Sequence, residues 1–416
     1  MSTAFGTRQT LPNLIISLWL LGFTQIIGYG TLYYGLAIIA EDMATTLGWP
    51  VSWIFGAFSL ALLAGAVIAP AVGRRIDQHG AAKVMALGSV AAAVSLIITA
   101  SAPNPLVFVI GLVAMQLATT LVLYDAAFAH LVEVSGPASP RLITYLTLIA
   151  GFSSTIFWPL TQTLNEWFSW REILAIFAAM NVAICFPVHL WLARSGTGSF
   201  CNLPLQTGVD LPTLDASPLP DHLEQRGLFL VTWGFALSGF LLMAILAQMV
   251  PLLSAMGFGS ASVMVAALFG PAQVLIRFVN MVLGTERYPL AVTLLVAVLL
   301  PTAALLLAAS APWMFGAVIF ALILGFASGL KSIVQGTLPL ALFGATGYAT
   351  RLGKMAAVRL VLAALAPFVL AHLLEVLGPR LALASLALFG VAGLVAFLEV
   401  ARLRHRTKHR GAIPTT

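Results

Sequence analysis

Twelve stretches of this chain are each apolar for about 20 residues, and this pattern constrains the fold more than any other feature. They lie at residues 11–40, 51–72, 84–101, 105–133, 141–164, 171–193, 227–252, 260–284, 289–309, 312–340, 352–374 and 380–400. A helix rising 1.5 Å per residue crosses a bilayer in ~20 residues. Lipid offers no partner to a backbone N–H or C=O, so runs of this length span as helices. Only 8% of the residues are charged, against about 25% in a soluble domain. Such a chain cannot cover a water-facing surface, and most of it must be solvated by lipid. The first run is too long for a signal peptide and lacks a small-residue cleavage site, so it is expected to stay as the first spanning helix.

Between the sixth and seventh runs lies "RSGTGSFCNLPLQTGVDLPTLDASPLPDHLEQRG", rich in Pro, Gly, Ser and Asp. It divides the chain into an N-terminal six-helix half, residues 1–193, and a C-terminal six-helix half, residues 227–401. Residues 194–226 are the expected linker, and 402–416 a basic tail. With an even number of crossings, both termini share a side. If that side is the cytoplasm, fifteen of the twenty Lys and Arg lie there, against Arg171 and Arg380 outside. The positive-inside rule takes orientation from such a bias. It also explains the net charge of +6 and the tail "RLRHRTKHR" without nucleic acid. His405 and His409 in that tail read as solvated surface, and the tail can touch anionic lipid heads. Cys185 and Cys201 fall in an apolar run and in the linker, so no disulfide framework is implied.

The most specific motif is "GRRIDQHGAAK", Gly73 to Lys83, between the second and third helices. It resembles the loop signature of the major facilitator superfamily, G-x-x-x-D-R-x-G-R-R. Gly73, Asp77, Gly80 and Lys83 match; Gln78, Ala81 and Ala82 stand where basic residues are usual. The resemblance implies the major facilitator fold: an all-α membrane protein of twelve transmembrane helices in two six-helix halves, which rock around a midplane site. Within that superfamily the chain is similar to the monocarboxylate and oxalate/formate transporters. "GYGTLYYGLAIIAEDM" and the Ser-Trp entry to helix 2 repeat their order of motifs, and "RLITYLTLIAGFSST" resembles their helix 5 entry. Arg277 falls where that branch places a substrate-binding arginine in helix 8. Gln273 stands where the branch has an ionisable Asp one turn earlier, and helix 1 has no lysine. The helix 5 Gly-Pro signature of drug/proton antiporters is absent from "GFSSTIFWPLTQTL".

Arg277, Lys331 and Arg359 lie inside apolar runs, and Asp125 is the acid well inside one. A charge near the bilayer centre costs at least ~2.5 kcal/mol, so it faces a cavity or a partner. Three cations against one anion leave a surplus that an anionic ligand would neutralise. Arginine matches a carboxylate with two parallel bonds. Arg277, Lys331 and Arg359 are therefore the expected substrate-binding cations, with Gln25, Tyr29 and Gln273 as polar contacts. Asp125 is either a structural partner or a proton carrier. Asp77 caps a helix end or accepts from a neighbouring helix, and so latches one conformation. Gly325 and Gly329, a small-xxx-small pair, are expected to pack helices closely.

No G-x-x-x-x-G-K-[ST] or H-E-x-x-H is present, so neither ATP, a metal nor another cofactor is expected. The chain reads as a transporter rather than an enzyme. It is expected to move a small organic anion, with a carboxylate as the leading class and a proton as a candidate companion. Efflux of amphipathic drugs is the alternative. The expected setting is a bacterial inner membrane, as a monomer with cytoplasmic termini.

Overall fold

The computed structural model describes residues 11–195, 218–285 and 288–410. Most of the expected linker, including Cys201, lies outside the described residues, as do Arg8, Arg287 and the last six residues of the tail. The described chain is helical throughout: α1 Leu11–Tyr29, α2 Gly35–Leu47, α3 Val51–His79, α4 Ala81–Ala100, α5 Pro105–Val122, α6 Tyr124–Ser135, α7 Ser139–Ala150, α8 Ser153–Asn165, α9 Trp170–Met180, α10 Phe186–Ser195, α11 Asp221–Ala247, α12 Met249–Leu253, α13 Ala261–Ala267, α14 Phe269–Leu283, α15 Pro289–Ser310, α16 Met314–Phe343 and α17 Tyr348–Arg410. π-helical turns join α1 to α2, α9 to α10, and follow α12.

Among the described residues, ten continuous helical runs are long and apolar enough to cross a membrane. Two of them, Pro105–Asn165 and Tyr348–Arg406, hold 61 and 59 residues. Each would measure about 90 Å if straight, three times the ~30 Å hydrocarbon core. Both turn back at a glycine. Gly136, at φ 51°, ends α6, and Gly378, at φ 74°, breaks α17. L-residues rarely adopt such angles, so these are the positions where the chain can reverse. Each long run is thus two crossings, which brings the described helices to the twelve crossings expected from sequence.

Helices extend beyond the apolar runs read from sequence. The second reaches His79 rather than residue 72, and the third starts at Ala81 rather than 84. The signature motif is therefore mostly helix. Gly80, at φ 88°, is the one-residue link, because polar residues can continue a helix once it has left the lipid. Local chemistry sets other ends. Asn104 accepts from the Val107 N–H ahead of Pro105, and Ser169 with Glu172 forms a capping box at α9.

The chain forms two compact units. Unit 1 holds Met1–Pro212 and Gly347–Gly353; unit 2 holds Thr213–Thr346 and Lys354–Thr416. The start of α17 thus belongs to unit 1, although the reading by halves puts it in the C-terminal half. One device recurs in both units. Arg171 Nη1, at the start of α9, donates at 2.6 Å to the carbonyl of Ala100, the last residue of α4. Arg380 Nη2, just past the Gly378 break, donates at 2.8 Å to Ala311 O at the end of α15. Each closes a helix C-terminus with a cation, where the helix dipole favours one. In the order of crossings, the sixth helix ties the third and the twelfth ties the ninth, which is the internal repeat of the fold.

Candidate functional site

In unit 2, α14 and α16 pack backbone to backbone. A Cβ on Gly325 would meet Ala272 Cβ and Phe269 O at 2.7 Å, and one on Gly329 would meet Gln273 O at 2.6 Å. The small-residue pair is a close-packing seam, as expected. Both contact sets advance together along the two helices, so α14 and α16 run parallel. Gln273 Nε2 donates to Ser328 Oγ at 2.7 Å across this seam. Arg277 lies one turn past Gln273 on α14, and Lys331 lies three residues past Ser328 on α16. Residues three or four apart share a helix face. The two cations therefore stand at the same level of adjacent helices. Both are buried, at 4% and 7% exposure.

Arg359 joins them through α11. A Cβ on Gly239 would meet Lys331 Nζ at 3.3 Å, Lys331 Cε at 3.8 Å and Arg359 Cγ at 3.9 Å. The bare Cα of Gly239 is thus the floor against which the ammonium and the guanidinium stem converge. The described carboxylates of unit 2 are Asp221, Glu224, Glu375 and Glu399, and none is buried. Glu399 pairs with Arg402, and Asp221 and Glu224 occupy the first turn of α11. The buried level of this unit is therefore electropositive.

The remaining expected site residues lie in unit 1. Gln25, 1% exposed, donates from Nε2 to Val122 O at 2.7 Å. The helix breaks at Leu123, where Ala126 and Ala127 N–H both turn to Leu123 O. Val122 O loses its helical donor there and takes the amide of Gln25. The Gln25 Oε1 is buried without a hydrogen-bond partner. Tyr29 packs against Tyr124 with the rings tilted by 57° and their centroids 4.7 Å apart. Tyr33, Tyr34, Phe58 and Trp158 extend this aromatic cluster. Asp125, in the first turn of α6, has Tyr348 as an electrostatic neighbour. Gln25 and Tyr29 thus touch the chain on either side of the α5–α6 break, at Val122 and Tyr124, whereas Gln273 and the three cations belong to unit 2.

The signature motif is also in unit 1. Asp77 accepts from Ala349 N at 3.1 Å and Thr350 N at 2.8 Å, the free amides in the first turn of α17. A carboxylate on a helix N-terminus satisfies orphan donors and complements the dipole. Gly73 permits the approach: a Cβ there would lie 3.0 Å from Thr350 Cα. Lys83 is exposed in the first turn of α4. Glu133, which the sequence reading passed over, caps that same turn by accepting from Ala81 N at 3.0 and 3.1 Å. A second missed tie joins two of the π-helical turns: Asn181 Nδ2 donates to Thr31 Oγ1 at 3.0 Å. Neither residue carries a local signal, since a lone polar side chain in an apolar run does not name its partner.

The chain matches the Major Facilitator Superfamily over residues 18–350. It belongs to that superfamily. Its fold is shared by the human organic anion transporter MFSD10 (TETRAN), with a TM-score of 0.69 at 16% identity over 94% of this chain and 100% of that one. The E. coli fucose:proton symporter FucP is similar at a TM-score of 0.66 and 14% identity, over 93% of this chain and 99% of the symporter. FucP in its outward conformation gives 0.65, again at 14% identity and with the same coverage. No curated protein sequence matches the chain. At these identities the structural likeness speaks for the fold. Members of the superfamily are transporters rather than enzymes, and this chain is a multi-pass membrane protein of that kind.

Proposed function

We propose that this superfamily member is a secondary transporter for a small organic anion, with a carboxylate as the leading class, working by alternating access. The observation that carries the reading is the electropositive level of unit 2: Arg277 and Lys331 buried at the same level of adjacent helices, Arg359 beside Gly239, and no buried carboxylate among the described residues of that unit. Buried cations are costly at membrane depth, and a ligand carboxylate would offset that cost with charge-assisted bonds. The resemblance to monocarboxylate transporters supports the same class, and the likeness in fold to the organic anion transporter MFSD10 is consistent with it. The bacterial inner membrane, cytoplasmic termini, a monomeric state and the division at residues 194–226 belong to this proposal.

The test is uptake by proteoliposomes offered a panel of radiolabelled mono- and dicarboxylates, with and without a pH gradient. Saturable uptake of at least one carboxylate, weakened in Lys331→Ala, is the expected result. Efflux of amphipathic drugs is the second reading, favoured by the aromatic cluster around Tyr29, Tyr34 and Trp158. Lipophilic cations accumulated in preference to every carboxylate would support it and refute the first.

A further inference from the structure

Unit 1 holds a buried polar cluster that the anion reading does not use. His189 of α10 is 1% exposed and His130 of α6 is 2% exposed. His189 Nδ1 lies 2.7 Å from Ser89 Oγ on α4, and its Nε2 lies 3.0 Å from Thr24 Oγ1 on α1. Each hydroxyl also reaches a carbonyl of its own helix: Ser89 to Met85 O at 3.1 Å and Thr24 to Leu21 O at 2.9 Å.

The hydrogen count is what makes this arrangement informative. A hydroxyl has one hydrogen, and a neutral imidazole has one N–H. If both hydroxyls donate to their carbonyls, both ring nitrogens must donate, and His189 is an imidazolium. If the ring is neutral, one hydroxyl turns its hydrogen from a carbonyl to the bare nitrogen. The same heavy-atom arrangement thus accommodates both protonation states, which differ by one proton on the ring and one hydroxyl rotation. On α6, His130 Nδ1 is likewise buried, without a hydrogen-bond partner.

The neighbouring titratable groups are engaged elsewhere or turned outward. Cys185, one turn before His189, is a buried free thiol. Asp77 is held by Ala349 and Thr350, Glu133 by Ala81, and Asp125 is next to Tyr348. Lys83 of α4 and Arg74, Arg75 and His79 of α3 are exposed. Arg141 of α7 bonds Tyr145, and Tyr29 of α1 lies in the aromatic cluster.

We infer that His189 is a proton-binding site within unit 1. The ring bridges α1, α4 and α10, so its protonation state is felt by three helices at once. Histidine is the side chain whose ordinary titration spans the physiological range, and an ionisable residue at membrane depth marks ion pathways by default. The inference takes its purpose, supply of a coupling proton, from the transport reading, but it is testable without any substrate.

The experiment is a pH series from 4 to 9 on protein carrying ring-15N histidine, in nanodiscs of phosphatidylcholine and phosphatidylglycerol. His189→Gln assigns the resonances; if that variant does not fold, Ser89→Ala, which touches one ring, assigns them instead. His189 is expected to pass from the singly to the doubly protonated signature within the series. Ser89→Ala should lower its midpoint by about one pH unit, because the lost hydrogen bond is stronger to the charged ring than to the neutral one. A His189 ring that stays neutral at every pH where the protein remains folded would overturn the inference. So would a midpoint that Ser89→Ala leaves unmoved. Neither result bears on anion uptake, which the proteoliposome panel measures separately.

Discussion

Arg277 shows how far a single residue can be read. A cation in an apolar run is conspicuous in sequence because burying it at membrane depth is costly, and it is buried in the fold. Arg277→Ala is expected to weaken anion binding by roughly ten- to a hundredfold, the scale of a charge-assisted hydrogen bond. Arg277→Lys keeps the charge but loses the planar fork, so it should bind poorly. Equilibrium binding of the transported anion to purified protein measures both; equal expression with unchanged affinity in the alanine variant would remove Arg277 from the site. Gly239 was not legible. A glycine in an apolar helix carries no sign that Lys331 Nζ packs on it. Gly239→Val should displace that flexible ammonium at little cost to thermal stability while lowering anion affinity. An intact affinity would mean that the space over Gly239 is not used. Gln25 stands out in sequence as a polar residue beside the glycines of helix 1; its bond to Val122 O depends on a helix break that sequence does not mark.

Helices as elements were legible from length and apolarity, and their breaks were less so. The glycines at 136 and 378 are visible as residues, but the kink at Leu123 carries no glycine or proline. The seam between α14 and α16 was readable because small residues four apart leave a groove. Gly329→Leu should lower the thermal midpoint of the purified protein, since the new side chain meets the Gln273 carbonyl; overpacking of this kind costs about 1–3 kcal/mol. An unchanged midpoint would contradict that packing. Asp77 acts on an element distant in sequence, capping the first turn of α17. Asp77→Asn keeps an acceptor but loses the charge that complements the helix N-terminus. Transport rate should change more than substrate affinity, because the contact holds a helix end rather than ligand. A pure affinity loss in concentration-dependent uptake would argue against the latch.

For the whole molecule, orientation is the property that charge placement predicts. A reporter enzyme active only in the periplasm, fused after Thr416, should be silent in intact cells, as the basic asymmetry requires; activity there would invert the topology. The sequence by itself determined the solvent, the twelve crossings and the superfamily, because lipid imposes length and apolarity on every spanning segment wherever it packs. It also marked the costly charges, since desolvation does not depend on the neighbours. Tertiary structure decided which of those charges meet. It brought Lys331 and Arg359 together against Gly239 and set Asp125 beside Tyr348; it placed the start of α17 with unit 1 and closed His189 between two hydroxyls. These pairings join residues tens to hundreds of positions apart. In a chain so uniformly apolar the hydrophobic pattern says that a helix spans and leaves its neighbours open; shape and hydrogen bonds between packed helices choose them.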